Sequence, residues 1–128
     1  MTGKEVYESA CALLFEKPNV DLAFYNSALP LINLLIAEAL PYQNNRNRAE
    51  GKDELTGVRI KSLDDEIPLD FPIVSVALPY GLASYFYQDE NDAHMENEYR
   101  QRFVIALEEA KVCETLNITD EYATESEE

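Results

Sequence analysis

Leu78-Pro79-Tyr80-Gly81-Leu82-Ala83-Ser84-Tyr85-Phe86-Tyr87-Gln88-Asp89-Glu90-Asn91-Asp92 decides the fold. The stretch opens apolar and closes on four polar turn formers, Asp89 to Asp92. Beyond it Met95, Tyr99, Phe103, Ala106, Leu107 and Ala110 recur at mostly three- and four-residue spacing, the period of a helix with one apolar face. Two helices joined by so short a turn pack antiparallel. In the first of them Ile73, Val76, Ala77, Tyr80, Ser84 and Tyr85 form one stripe and Val74, Leu78, Leu82 and Phe86 another. A helix apolar on so many sides is buried. Asp70 is the expected N-cap and Pro72 fits the first turn. Pro79 is expected to kink this helix, and Gly81 to let another backbone approach closely.

Upstream, Thr2 and Glu5 have the spacing of a capping box, followed by Val6, Ala10, Leu13 and Leu14 on one face. This first helix is expected to run to about Phe15, because Pro18 disfavours helical geometry in the residue before it. Asn19 or Asp21 can cap a second helix carrying Leu22, Tyr25, Leu29, Ile32, Ile36, Ala39 and Leu40, with a bend at Pro30. Phe24, Leu31, Leu34 and Leu35 widen its apolar stripe, so it is either the central helix or faces another subunit. Leu22 to Tyr42 also raises the question of a membrane span. Asn26, Asn33, Glu38, Pro30 and Pro41 within it favour a helix buried in a soluble assembly.

From Gln43 to about Leu69 the periodicity vanishes, which reads as a long loop with room for one short strand at Thr56 to Ile60. Loops of this length in small domains are usually functional or mobile. Arg46, Arg48, Lys52, Arg59 and Lys61 fall in this stretch and are half of the ten basic residues. They are the candidate protein-interaction residues, docking on an acidic surface of a neighbouring copy or of a partner; the alternative is a solvated loop.

The chain of 128 residues carries a formal net charge of −15, which opposes recognition of duplex phosphates. Its length suits one core, read as a single helical domain over 1–116, followed by an acidic tail, 117–128, expected to be disordered. Cys11 and Cys113 are expected to be buried free thiols. The start lacks the basic and apolar run of a secretory signal, so synthesis in the cytoplasm is expected. Without that signal the acceptor pattern Asn117-Ile118-Thr119 is read as accidental.

The single histidine, His94, sits among acidic residues. A calcium loop started at Asp89 would place Ala93 at a ligand position and Arg100 where the bidentate Glu belongs. No phosphate loop or nucleophile motif occurs in the sequence, so neither an enzyme nor a bound cofactor or metal is expected.

The run from Leu63 to Lys111 resembles the small helical head-to-tail connector proteins of tailed bacteriophages, the neck adaptors or head-completion proteins. The likeness lies in the order of Asp65-Glu66-Ile67-Pro68, Leu78-Pro79-Tyr80-Gly81-Leu82-Ala83, Gln88-Asp89-Glu90-Asn91-Asp92 and Tyr99-x-x-x-Phe103 ending in Glu108-Glu109-Ala110-Lys111. The resemblance implies an all-α subunit that forms a ring of about a dozen copies. Its layout agrees with the four main helices read above, the long loop between helices two and three, and the short-turn antiparallel hairpin of helices three and four. It further implies contacts with the portal protein and the next neck or tail component, and passage of DNA without sequence-specific binding. The expected locations are the bacterial host cytoplasm during assembly and then the virion neck, with no membrane. An alternative, resting on charge alone, is an acidic adaptor or DNA mimic that occupies a basic nucleic-acid-binding protein.

Overall fold

The computed structural model describes residues 1–18 and 21–111. Among them are α1 (Gly3–Leu13), α2 (Leu22–Ala49), a π-helical turn (Ile73–Ala77) running directly into α3 (Leu78–Asp89), and α4 (Ala93–Glu109). The architecture is all-α, with the long connection between α2 and α3 as expected. Asn19, Cys113, the Asn117 pattern and the tail 117–128 lie outside the described residues.

The hairpin forms as its pattern requires. Asp92 caps α4 by accepting the Met95 N–H, and Asn91 makes the turn at φ 59°. Tyr87 stacks on Tyr99 with ring centroids 5.6 Å apart, while Gly81, further from the turn on α3, faces Phe103, further from it on α4. That order is the antiparallel one. A Cβ on Gly81 would lie 2.5 Å from Leu35 Cδ2 and 3.0 Å from Phe103 Cδ1. The missing side chain therefore admits side chains of α2 and α4, where the sequence reading expects a backbone. Leu35, Leu78, Leu82 and Phe103 are almost wholly buried here, and each such side chain contributes about 1.5–3 kcal/mol relative to exposure.

The irregularity at Pro79 takes the form of the π-helical turn before it. The Leu78 N–H donates to the Ile73 carbonyl, five residues back. Proline, with no N–H to give, then falls in the first turn of α3, where it breaks no α-helical bond. Asp70 does not cap this segment with its side chain. Its carbonyl accepts from Ile73 and Val74 at 3.0 and 3.1 Å, while its carboxylate turns to Arg46.

α1 starts with the expected capping box and α2 with Asp21 accepting the Phe24 N–H. By length and composition alone α2 could cross a membrane; its Ile32, Leu35, Ile36 and Ala39 are buried within the helical assembly. It also runs past Tyr42 to Ala49, well into the stretch read from the sequence as loop. Helical periodicity disappears there because the buried face changes from apolar to amide, with Gln43, Asn45 and Asn47 all buried.

A chain of rings ties the four helices together. Tyr25, Tyr7, Phe24, Phe86, Tyr87, Tyr99 and Tyr80 follow one another with centroid separations from 5.2 to 6.1 Å. Such pairs add roughly 0.5–1.5 kcal/mol each beyond burial.

Three helices end alike. At α1 the Glu16 N–H reaches the Cys11 carbonyl and the Phe15 N–H that of Ala12; at α2 Lys52 and Gly51 reach Asn47 and Arg48; at α3 Asp92 and Asn91 reach Tyr87 and Gln88. Each is a Schellman cap whose central residue is left-handed: Phe15 at φ 56°, Gly51 at 74°, Asn91 at 59°. Gly and Asn suit that position. Phe15 does not, and it is 97% exposed.

Gly81→Ala is expected to destabilise the protein by about 1–2 kcal/mol in urea unfolding, because overpacking against Leu35 and Phe103 outweighs the roughly 1 kcal/mol gained by removing a helical glycine. Leu35→Ala should cost less in the Gly81→Ala background than in the wild type, a coupling that a double-mutant cycle reads directly.

Candidate interaction surface

The connection from Gly51 to Asp70 contains no strand; the one β-type pairing among the described residues joins Thr2 to Glu66. Where the sequence leaves room for a strand at Thr56 to Ile60, the backbone at Ile60, and before it at Leu55 and Asp53, is bonded by side-chain amides of α2. Asn33 accepts the Ile60 N–H at 2.8 Å and donates to the Ile60 carbonyl at 2.9 Å. Asn44 does the same for Leu55, at 2.7 and 2.9 Å. Asn47 donates to the Asp53 carbonyl, and Gln43 donates to Asn47 while accepting the Asp70 N–H at 2.6 Å. Asn33, Asn44 and Asn47 stand eleven and three residues apart, so they share a helix face. The loop retraces that face in reverse, Asp53 over Asn47, Leu55 over Asn44, Ile60 over Asn33.

The far end of the loop is laced to α1. The Gly3 and Lys4 N–H groups donate to the Asp65 and Leu63 carbonyls. Gly3 leaves room for the crossing, since a Cβ there would lie 2.7 Å from Ile60 Cδ1. The Asp65 carboxylate accepts the N–H groups of Lys61 and Ser62 and fixes the turn between them.

The five basic candidates do not act as one set. Arg46 and Arg48 lie on α2, not in the loop. Arg46 is a strut: its Nε donates to Asp70 Oδ2 at 2.8 Å and its Nη1 to the Ala110 carbonyl at 2.9 Å, joining α2, the loop end and the end of α4. The Arg46 guanidinium holds the Asp70 carboxyl below the usual carboxylate range. Arg48 pairs with Glu54 and Lys52 with Glu50. Arg59 and Lys61 make no ion pair among the described residues, and Lys4, absent from the sequence reading of the site, joins them through its backbone bond to Leu63. The exposed cationic edge is therefore Lys4, Arg59 and Lys61, with exposed Asp64 and Glu66 just beyond the turn.

Two other features face outward. Between the start of α2 and the end of α3 lies a cavity of about 470 Å³, lined by Phe24, Leu31, Tyr85 and Phe86, with Ser27 and Asp89 among its polar members. Among the large apolar side chains, Phe15, Leu22, Leu34, Phe71 and Ile105 are more than half exposed. Leu34 and Leu22 lie on α2, the helix whose apolar stripe is too wide for one neighbour. Cys11 is buried, and burial pushes its thiol up. Among the described residues no three His, Cys, Asp or Glu side chains converge as metal ligands, and His94 is exposed. Compared with family models, curated proteins and solved structures, the chain finds no match.

Arg46→Gln is expected to cost about 2 kcal/mol at neutral pH, since it leaves a charged carboxylate and a carbonyl short of their donor. Arg48→Gln should stay within about 0.5 kcal/mol, as for exposed pairs generally. Because the folded Asp70 carboxyl is depressed, its stabilisation is present above the unfolded value, about 4, and is lost as pH falls through the lower folded one. The gap between wild type and Arg46→Gln in urea unfolding should accordingly narrow as pH falls below about 4, leaving the part due to the Ala110 carbonyl.

Proposed function

We propose that this chain is a structural connector subunit. Its copies form a ring at the head-to-tail neck of a tailed bacteriophage, extend the DNA channel below the portal, and support the next neck or tail component. The observation that carries this reading is the cationic edge formed by Arg59 and Lys61 on a pinned loop and Lys4 at the start of α1, in a protein of net charge −15. These cations are not spent on ion pairs within the described fold, and their complement is an acidic surface of the adjoining component. Net acidity elsewhere on the subunit suits a channel through which DNA must slide without being trapped.

A ring contact is heterologous and needs two different, complementary patches on each copy. The exposed side chains on α2 and at the end of α1 supply apolar surface. In this reading the protein carries no catalytic machinery, meets the portal on one side and a neck or tail component on the other, and moves from the host cytoplasm into the virion.

Concentrated wild-type protein is expected to form rings visible by negative-stain electron microscopy, alone or when portal is supplied. Arg59→Glu with Lys61→Glu should keep the helical circular dichroism signal and thermal midpoint while weakening joining to the adjoining component about tenfold, the effect of roughly 1.4 kcal/mol. A wild type that stays monomeric with portal and tail components contradicts the proposal. So does salt-sensitive displacement of DNA from a basic protein by a non-assembling chain, the mark of an acidic mimic.

A further inference from the structure

Phe15 breaks the rule that the other helix ends obey. The three Schellman caps place Gly51, Asn91 and Phe15 in the same left-handed position. An L residue with a Cβ is strained there, Asn least, and a bulky aromatic is an outlier. Burial does not compensate, because the ring is 97% exposed and is absent from the core. The left-handed backbone sets the direction of the Cα–Cβ bond, and the ring stands clear of the surface, as a knob.

The chain also holds a hole that Phe15 leaves empty in its own copy. The cavity of about 470 Å³ between α2 and α3 has Phe24, Tyr85, Phe86 and Leu31 in its walls, which is aromatic and aliphatic surface suited to another ring. Charge follows the same arrangement. Glu16 and Lys17, the two residues after Phe15, are both exposed and opposite in charge, and Lys17 makes no ion pair among the described residues. Asp89 stands in the cavity lining, and exposed Glu90 follows it.

We infer that Phe15 of one copy occupies the α2–α3 cavity of a second copy, with Lys17 placed against Asp89. The occupant is another molecule of this same chain, since knob and hole match in apolar character and the unpaired Lys17 beside the knob complements Asp89 in the lining. The inference rests on the reading of the protein as a ring-forming subunit and names the contact between its copies. The strain at Phe15 is retained because the ring is buried only on assembly.

The test uses the full chain, with size measured by analytical ultracentrifugation. Phe15→Gly satisfies the left-handed position, so it should raise the thermal midpoint of the monomer while abolishing self-association. Ser27→Trp fills the cavity from its exposed rim and should abolish self-association while leaving the circular dichroism spectrum unchanged. Mixed in equal amounts, the two variants should form a heterodimer and nothing larger, because one has a free cavity and the other a free Phe15. Lys17→Glu should weaken self-association of the wild type about tenfold. Rings that persist in Phe15→Gly overturn this inference and leave the connector reading standing. Wild type that stops at a closed dimer, lost in Phe15→Gly, supports the knob and cavity and contradicts the ring. Wild type that is monomeric at every concentration, or a mixture that does not associate, overturns the inference.

Discussion

The amide face of α2 is the constraint on which the arrangement depends. A connection as long as Gly51 to Asp70 contains many backbone donors and acceptors, and in the absence of a sheet they must be bonded by side chains or by water. Asn33 and Asn44 each hold both polar groups of one loop residue, Ile60 and Leu55, as a neighbouring strand would. Gln43, Asn47 and Arg46 then fix Asp53 and Asp70. The segment is irregular in shape and specified in position. Because Asp70 leads directly into the π-helical turn and α3, the same face of α2 also sets where the hairpin begins.

The hairpin meets α2 at Gly81, where the absence of a side chain lets Leu35 and Phe103 close over α3. Arg100 adds a clasp from outside, donating two hydrogen bonds to Glu38 while its guanidinium lies 5.1 Å from the Phe103 ring centroid. Apolar contact thus holds α2 up to Ala39, with Asn33 bonding the loop beside it, and amide hydrogen bonds take over from Gln43. A helix of this kind needs no continuous hydrophobic stripe, and its low amphipathicity beyond Tyr42 is a consequence of what it binds.

That division explains what could be read from residues alone. The hairpin was legible because its contacts are apolar and periodic and its turn residues, Asn91 and Asp92, are the ones a helix junction favours. The second half of α2 was not, because hydrophobic periodicity cannot see a face that buries Gln43 and Asn47. Gly51, preceded by Arg46 and Arg48 in the last turn, was the available signal for the true end. The expected cap at Asp70 failed because an arginine 24 residues away competes for its carboxylate. Of the candidate site, Arg59 and Lys61 remain as exposed cations, Arg46 proves structural, and Lys4 joins them only through folding. Phe15 carried no sequence signal, since its oddity is a backbone angle.

A pinned loop gives the cationic edge a fixed position, and a surface that is built in advance is what repeated, identical joining requires. Amide hydrogen exchange measured by NMR tests that pinning most directly. The Leu55, Ile60 and Asp70 amides should exchange as slowly as those of the Leu35 turn of α2, opening only with the whole fold. Exchange of these three at the rate of an open loop, while α2 stays protected, would contradict the account.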